Sequence, residues 1–301
     1  SCGCLGRNGV QCVQHDNTPN TMESIRLIIN ADDLGFAPGV NRGIVEAHEA
    51  GTLSSASMMV NTPAFPEATA LVRDRVPALG VGLHLNLLTG RPLAIAPTLT
   101  DPRTGRFYSL GELARRAMIG RVSASDVRRE CDAQLAALSA EGVRATHLDS
   151  HRHTHALPGI LAPVLASARA AGVRIVRRPL DQPTPSDPVA SAKMLVLSGA
   201  WRAAMRHVTP DDHALLARSP NFRGIALQGA PDVERRLLAL IDRLPQGVTE
   251  IMLHPGYDDE VLAAQDPYRH EREREVAALC SVALRERLSR GDVRLVRFDQ
   301  V

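Results

Sequence analysis

The sequence predicts one α/β domain, a parallel (β/α) barrel of the TIM type with loop insertions. From Ile25 onward, short apolar runs typical of strands alternate with amphipathic stretches typical of helices, which gives about eight β/α units. Aromatic residues make up only 3% of the chain, so aliphatic side chains must fill the core, as in parallel strands buried on both faces. No G-x-G-x-x-G motif follows the first strand, which argues against a dinucleotide-binding fold.

The predicted strands and helices follow one another in regular alternation, separated by polar or Gly- and Pro-containing turns. The strands are Ile25–Ile29, Ser55–Val60, Leu79–Leu85, Ala145–Leu148, Val173–Val176, Gly224–Leu227, Thr249–Leu253 and Val293–Phe298. The helices are Asn41–Ala50, Phe65–Arg75, Leu110–Ile119, Ala124–Glu141, Pro158 to near Gly172, Ala192–Val208, Asp232–Leu244 and Arg269–Arg290. Two irregular insertions, Thr89–Arg106 and Pro179–Arg223, interrupt the pattern, and the second could be a lid rather than a second domain.

The first residues differ from the rest of the chain. Residues 1–22 are predicted to be a leader or disordered segment, and residues 23–301 to form the barrel. Cys2, Cys4 and Cys12 lie among polar residues and glycines, in a spacing that fits no zinc finger. The segment also lacks the apolar stretch of a secretory signal.

Composition argues against a nucleic-acid partner and against a membrane-spanning segment. The formal net charge is +2 and no Lys/Arg block stands out, which argues against nucleic acid. No run approaches the roughly 20 apolar residues that span a bilayer, so no transmembrane segment is predicted. Cys131 and Cys280 lie in helical patterns and are expected to be buried hydrophobic residues, which indicates a reducing compartment and a cytoplasmic protein.

Acidic and histidine side chains occur at the C-terminal ends of the predicted strands. Asp32 and Asp33 follow the first strand, His84 ends the third, His151 follows the fourth, and His254 ends the seventh. The loops at these ends assemble the active site of a β/α barrel. We therefore expect these side chains to lie close together.

Each of these residues also has a structural interpretation. Asp33 could cap the helix that follows it, and His84 could be a core histidine bonded to a backbone carbonyl. A neutral imidazole in dry surroundings is equally suited to bind a metal ion. Asn86 could support a ligand, donate to an oxyanion, or simply end the strand. The recurrence of histidines at several strand ends favours a functional site.

The segment from His147 to His155 is the most specific stretch. On an extended backbone, His151, His153 and His155 would share one face, and Asp149 could orient a ligand histidine. The alternative is a histidine-rich surface loop.

Four segments together resemble the ChbG/HpnK (YdjC-like) carbohydrate deacetylase family. They are Ile29–Gly35, Gly82–Leu87, His147–His155 and Met252–Tyr257. Their order and spacing also agree, and the resemblance runs from about Ile25 to the C-terminus. It implies a distorted β/α barrel that removes acetyl groups from N-acetylated amino sugars.

The resemblance also implies the site residues. One divalent metal ion, Mg²⁺ or Zn²⁺, would be held by Asp33, His84 and His151, and Asp32 would be the catalytic base. A metal ion and a base suit amide hydrolysis, because the carbonyl must be polarised and water deprotonated. A protonated His254 would then supply the proton for the departing amine.

The substrate is less defined. Family members act on chitooligosaccharides or on an N-acetylglucosaminyl hopanoid, and the two insertions of this chain depart from the chitooligosaccharide pattern. The residues expected to contact substrate are Asn86, His153, His155, Trp201 and Tyr257. Trp201 either packs on the barrel or contacts an apolar aglycone. Arg272 and Glu273 either orient His254 or lie on a solvated helix face.

Two alternatives remain. An amidohydrolase or phosphoesterase barrel usually carries H-x-H on its first strand, whereas here H-x-H follows the fourth. A non-catalytic sugar-binding barrel is expected to lack Asp32 or a metal ligand, and this chain has all of them. The expected partner is an oligosaccharide or glycolipid that contains an amino sugar, and the oligomeric state, a homodimer included, stays open.

Overall fold

A computed structural model describes residues 25–182 and 187–301. The strands in these ranges form one sheet, in which all neighbours run parallel. They are β1 (Ile25–Leu34), β2 (Ser55–Met58), β3 (Gly80–Leu85), β4 (Leu148–Ser150), β5 (Asn221–Arg223), β6 (Gly247–Leu253) and β7 (Val293–Leu295). The order is β4-β3-β2-β1-β6-β5, and β7 pairs with the beginning of β1. The predicted segment 1–22 lies outside the described residues.

Helices follow most of the strands, as in a succession of β/α units. They are α1 (Pro38–Glu49), α2 (Phe65–Asp74), α3 (Leu110–Met118), α4 (Ala124–Ala140), α5 (Leu161–Ala170), α6 (Pro188–Ala204), α7 (Pro210–Leu216), α8 (Val233–Ile241), α9 (Glu260–Ala263), α10 (His270–Leu279) and α11 (Val282–Leu288). Among residues 25–182 and 187–301, no helix is both long and apolar enough to cross a membrane. The prediction of a single-domain, distorted (β/α) barrel is confirmed.

The distortion lies between β4 and β5, where the described part of the chain has no strand ladder. The predicted strand Val173–Val176 makes only one β-bridge, between Leu148 and Val176. The Ser219 hydroxyl donates to the Val176 carbonyl at 2.5 Å. This irregular closure brings the next residue, Arg177, into the barrel interior.

Most other predicted limits shift by a few residues, and β1 extends past Ile29 to Leu34; two further elements differ more. The predicted strand Gly224–Leu227 does not form. The observed strand β5 ends just before it, at Arg223, because the chain turns at Gly224 (φ 130°). A Cβ atom at Gly224 would lie 2.4 Å from the Met252 carbonyl oxygen, so this close approach requires glycine. The predicted helix Arg269–Arg290 is broken, because Ser281 caps α11 by accepting the Leu284 N–H at 3.1 Å.

The core is aliphatic, as the composition predicts, and β1 is buried along nearly its whole length. Cys131 is buried and Cys280 is half-buried. The insertion at Thr89–Arg106 is fixed to the barrel by acidic side chains of α4. Glu130 accepts the N–H groups of Leu93 and Ala94 at 3.1 and 2.8 Å, so this insertion forms a defined wall at the edge of the sheet.

Candidate metal centre

Asp32 and Asp33 end β1 inside the barrel, and both are buried. Adjacent strand residues point to opposite sides, so the two carboxylates meet different partners. Asp33 has a left-handed backbone (φ 72°), which is strained for a residue other than glycine. The turn is closed by the Phe36 N–H, which donates to the Asp33 carbonyl at 3.0 Å. Strain of this kind is typical of functional sites.

Three predicted metal ligands converge on one point. Asp33 Oδ1 lies 3.2 Å from His84 Nε2 and 2.8 Å from His151 Nδ1, and all three donor atoms lie within 4.8 Å of one another. Ligands bonded to one zinc ion at about 2.0 Å in tetrahedral geometry would be about 3.3 Å apart. The donor set therefore fits a divalent ion.

Asp149 orients His84. Its Oδ1 lies 2.7 Å from His84 Nδ1, which leaves Nε2 directed at Asp33. Burial alone would lower the pKa of His84, but the neighbouring Asp149 and Asp32 carboxylates raise it to about 10. A carboxylate on the far nitrogen of a ligand imidazole fixes its tautomer and its ring orientation.

A second group of potential ligands overlaps the first. Atoms of Asp32, His84 and Asp149 also lie within 4.8 Å of one another. However, Arg177 contacts both oxygens of Asp32 and lies 2.7 Å from Asp149 Oδ2. Arg272 bonds only to Oδ2 of Asp33 and leaves Oδ1 beside the two histidines, so the group formed by Asp33, His84 and His151 is the better metal site.

Arg177 was not predicted from the sequence, yet it joins three strands. It is fully buried and contacts Asp32 on β1, Asp149 on β4 and Glu250 on β6. Burial would lower the pKa of Arg177, but the three carboxylates hold it well above its usual value. Burial raises the pKa of Glu250 to about 7, although Arg177 opposes this shift. In the sequence, the only indication of a buried role for Arg177 is that it directly follows the mainly apolar run Val173–Val176.

His254 directly follows β6, and it is held in place by Glu275 on α10 and by Tyr268, two residues before that helix. The backbone N–H of His254 donates to Glu275, which also accepts from the Tyr268 hydroxyl. The ring of His254 packs edge-on against Tyr268, with 5.7 Å between ring centroids. His254 Nδ1 is buried and has no hydrogen-bond partner among the described residues, so it is available for a bound molecule.

The two α10 residues considered beside His254 differ. Glu273 is exposed, which fits the solvated-face interpretation. Arg272 is 1% exposed, and for it that interpretation is wrong. Its Nη2 donates to Asp33 Oδ2 at 2.7 Å, since α10 packs against α1, the helix that follows β1.

His151, His153 and His155 do not share a face as they would on an extended strand. They lie in a 3₁₀ segment (His151–Ala156) in which Arg152 and His153 have left-handed backbones, so the three rings diverge. His153 Nδ1 is buried without a partner in the described ranges, and its ring meets Phe222 edge-on. Burial, followed by the charge of Arg177, lowers the pKa of His153 well below its usual value.

His155 and Trp201 lie in the interior. His155 Nδ1 bonds to the Ser150 hydroxyl at 2.6 Å, and Nε2 to the Arg177 carbonyl at 2.9 Å. Both ring nitrogens are therefore used inside the protein. Trp201 on α6 is 5% exposed and packs edge-on against His155 within the main core. The arrangement matches the packing interpretation of Trp201.

Asn86 and Tyr257 are held by other residues. The Asn86 side chain accepts two N–H groups of the following turn and donates to Asn61 Oδ1 and to the Thr89 carbonyl. Its amide therefore shapes the start of the insertion. The Tyr257 hydroxyl donates to Glu46 at 2.5 Å, and the Arg42 guanidinium lies 4.1 Å from the ring centre.

A cavity of about 830 Å³ lies at the C-terminal ends of the strands, among residues that follow β2, β3 and β6. It is lined by the loop after β2, the first residues of the insertion after β3, and the region of α9. Asn61 contributes to its wall and bonds to Asn86, two residues beyond His84. Its volume is in the range of small-molecule sites.

Comparisons with known proteins extend over most of the chain. The profile of a family described as YdjC-like protein matches residues 26–290. A carbohydrate deacetylase of Geobacillus stearothermophilus is 35% identical over 272 residues, covering 90% of this chain and 96% of the relative. A chitooligosaccharide deacetylase of Yersinia pestis bv. Antiqua (strain Angola) is 33% identical over 282 residues, covering 90% and 97%.

One solved structure is also similar in fold. A protein of Enterococcus faecalis V583, named for cellobiose-phosphate cleavage, superposes with a TM-score of 0.72 at 27% identity. The match covers 92% of this chain and 98% of that protein.

Proposed function

Because the chain belongs to the YdjC-like family, we propose that it is a metal-dependent hydrolase that removes the acetyl group from an N-acetylated amino sugar. Relatives named carbohydrate deacetylase and chitooligosaccharide deacetylase support this reaction class. The observation that carries the proposal is the division between the two aspartates. Asp33 faces His84 and His151, whereas Asp32 faces Arg177 beside the same cluster.

Asp33, His84 and His151 would hold the ion, as their converging donor atoms indicate. When bound, a divalent cation such as Mg²⁺ or Zn²⁺ would polarise the acetyl carbonyl and make a water molecule easier to deprotonate. Asp149 would keep His84 in the orientation that this role requires.

Asp32 would act as the base. Its carboxylate is fixed by two bonds from Arg177, and among the described residues Oδ2 accepts only the Arg177 Nη1 group. One acceptor position on Oδ2 therefore remains for a water proton. As the water oxygen bonds to the acetyl carbon, Asp32 takes the water proton. The electron pair of the C=O bond moves to the carbonyl oxygen.

His254 would complete the reaction. When the C–N bond breaks, the electron pair returns to the carbonyl and the amine takes a proton from the imidazolium of His254. Tyr268 and Glu275 hold this residue in place, and its Nδ1 has no competing partner in the described part of the chain. The products are acetate and a free amino sugar.

The sugar chain or aglycone would occupy the cavity between the β2 loop and the insertion. Its size suits several sugar rings or part of a glycolipid, such as an N-acetylglucosaminyl hopanoid. His153, with a free buried nitrogen, and Tyr257 are the proposed polar and aromatic contacts of the acetylated sugar.

An acetate-release assay tests the proposal. Purified protein is incubated with N-acetylglucosamine oligomers and with a lipid-linked N-acetylglucosamine, and acetate and free amine are measured. We expect equal amounts of both products, loss of activity with a chelator, and recovery when Mg²⁺ or Zn²⁺ is restored. Release that persists after complete metal removal, or no release from any acetylated amino sugar, would contradict the proposal.

A further inference from the structure

Arg272 lies beside the metal centre with part of its hydrogen-bonding capacity unused. Its Nη2 donates to Asp33 Oδ2 at 2.7 Å and to Asp266 Oδ2 at 3.2 Å, and its Nε donates to the Tyr268 carbonyl at 2.9 Å. Its Nη1 is buried and has no partner among residues 25–182 and 187–301. The side chain is 1% exposed, so bulk water does not satisfy this nitrogen.

An unsatisfied cationic N–H group in the interior is unfavourable and uncommon. The guanidinium is planar and rigid, so Nη1 lies no more than about 5 Å from Asp33 Oδ2. The contacts of Nη2 and Nε fix the plane, and Nη1 cannot swing away to find another partner. A molecule bound beside Asp33 would therefore lie close to Nη1.

Arg272 and His254 both lie near the ring of Tyr268. The Arg272 Cζ lies 5.4 Å from the centre of the Tyr268 ring, and the His254 ring lies 5.7 Å from it. His254 Nδ1 is also buried without a partner in the described residues. Two free nitrogens, one cationic and one imidazole, therefore flank one phenol ring next to Asp33. This pair suits a group that develops negative charge on one atom and needs a proton on another.

We propose that Arg272 Nη1 donates a hydrogen bond to the oxygen of the acetyl group, and afterwards to a carboxylate oxygen of the acetate product. This proposal rests on the proposed deacetylase function. A cationic donor stabilises an oxygen that becomes negative, and it does so best when it is already fixed before the reaction. A neutral sugar hydroxyl would gain less from it, and a protonated amine would be repelled.

Arg272 transfers no proton in this scheme. It binds the oxygen while the carbonyl electron pair resides there, and it keeps the contact when the C–N bond breaks and the pair returns. The same guanidinium also fixes Asp33, so its two terminal nitrogens have separate tasks. Nη2 positions a metal ligand, and Nη1 contacts the reacting group.

Arg272→Lys separates these tasks, because a lysine can reach Asp33 but has no second nitrogen in a rigid fork. Glu273→Gln, on the exposed side of the same helix, is the matched control. For each protein we would measure metal content, kcat and KM for acetate release, and the inhibition constant of acetate. Direct acetate binding by calorimetry adds a readout that does not depend on turnover.

We expect Arg272→Lys to keep its metal, to lose about 10²–10³-fold in kcat with little change in KM, and to bind acetate at least about tenfold more weakly. Unchanged acetate binding in the metal-containing variant would overturn the proposal. If the variant loses its metal or does not fold, a crystal structure of the wild-type protein with acetate decides. A carboxylate oxygen on Nη1 supports the proposal, and acetate bound elsewhere overturns it. Failure of the wild-type protein to release acetate would instead refute the proposed function.

Discussion

The two terminal nitrogens of Arg177 each donate a hydrogen bond to one carboxylate oxygen of Asp32, Nη1 to Oδ2 and Nη2 to Oδ1, both at 2.7 Å. The contact crosses the barrel at the irregular closure between β4 and β5. The same guanidinium reaches Asp149 and Glu250, so it neutralises a group of carboxylates that the sheet brings together. Positioning of the proposed base thus depends on a residue outside every strand.

Loss of Arg177 should therefore destabilise the fold. We expect Arg177→Met to lower the free energy of unfolding by about 3–5 kcal/mol, because it leaves buried carboxylates without their counter-ion. Urea denaturation measures the change. Arg178→Met is the matched control, since Arg178 is the adjacent residue and is exposed. Equal losses in the two variants would show that the buried ion pairs contribute nothing to stability.

The metal assignment predicts the behaviour of two histidine variants. His84→Ala and His151→Ala each remove one of three ligands, so both proteins should lose most of their metal on dialysis. Elemental analysis of the dialysed protein measures this. His213→Ala, at an exposed position on α7, should keep the wild-type metal content. Full retention in both ligand variants would refute the assignment.

Trp201 should matter for stability and not for the choice of substrate. Trp201→Ala removes a large buried side chain, which typically costs about 3–5 kcal/mol of unfolding free energy. KM should change equally for short soluble and lipid-linked substrates. Leu195→Ala, at a position of α6 that is 75% exposed, is the control. A KM that rises only for the lipid-linked substrate would instead indicate contact with the aglycone.

Deleting Ser1–Thr21 should leave melting temperature and acetate release unchanged. The deletion ends before Ile25, where β1 begins, and the segment shows no apolar periodicity. Thermal melting of the truncated and full-length chains makes the comparison. A large drop in melting temperature on truncation would show that the segment packs on the barrel.

The sequence predicts the site best where a chemical group follows a strand. Asp33, His84 and His151 come together because parallel strands end at one edge of the barrel, which alternation alone indicates. The face shared by His151, His153 and His155 was predicted wrongly, because left-handed residues replace an extended backbone there. Hydrophobic periodicity does not carry that information.

Arg177 and Arg272 show what local patterns cannot reveal. Each pairs with carboxylates far away in the sequence, so only the folded chain shows that they are buried. Arg272 lies in a run of charged residues that is typical of a solvated helix. Strands and helices depend on neighbouring residues, so the sequence predicts them well. Buried ion pairs depend on how the folded chain brings distant residues together, so the sequence does not predict them.

Metal analysis and acetate-release assays of Asp32→Asn and Asp33→Asn, measured side by side, test the division between the two aspartates most directly. Asp32→Asn removes a base without removing a ligand, so it should keep the metal and lose about 10²–10⁴-fold in kcat. Asp33→Asn should lose the metal as well as the activity. If Asp32→Asn loses the metal while Asp33→Asn keeps it, the two roles are exchanged and the proposed arrangement of the site is wrong.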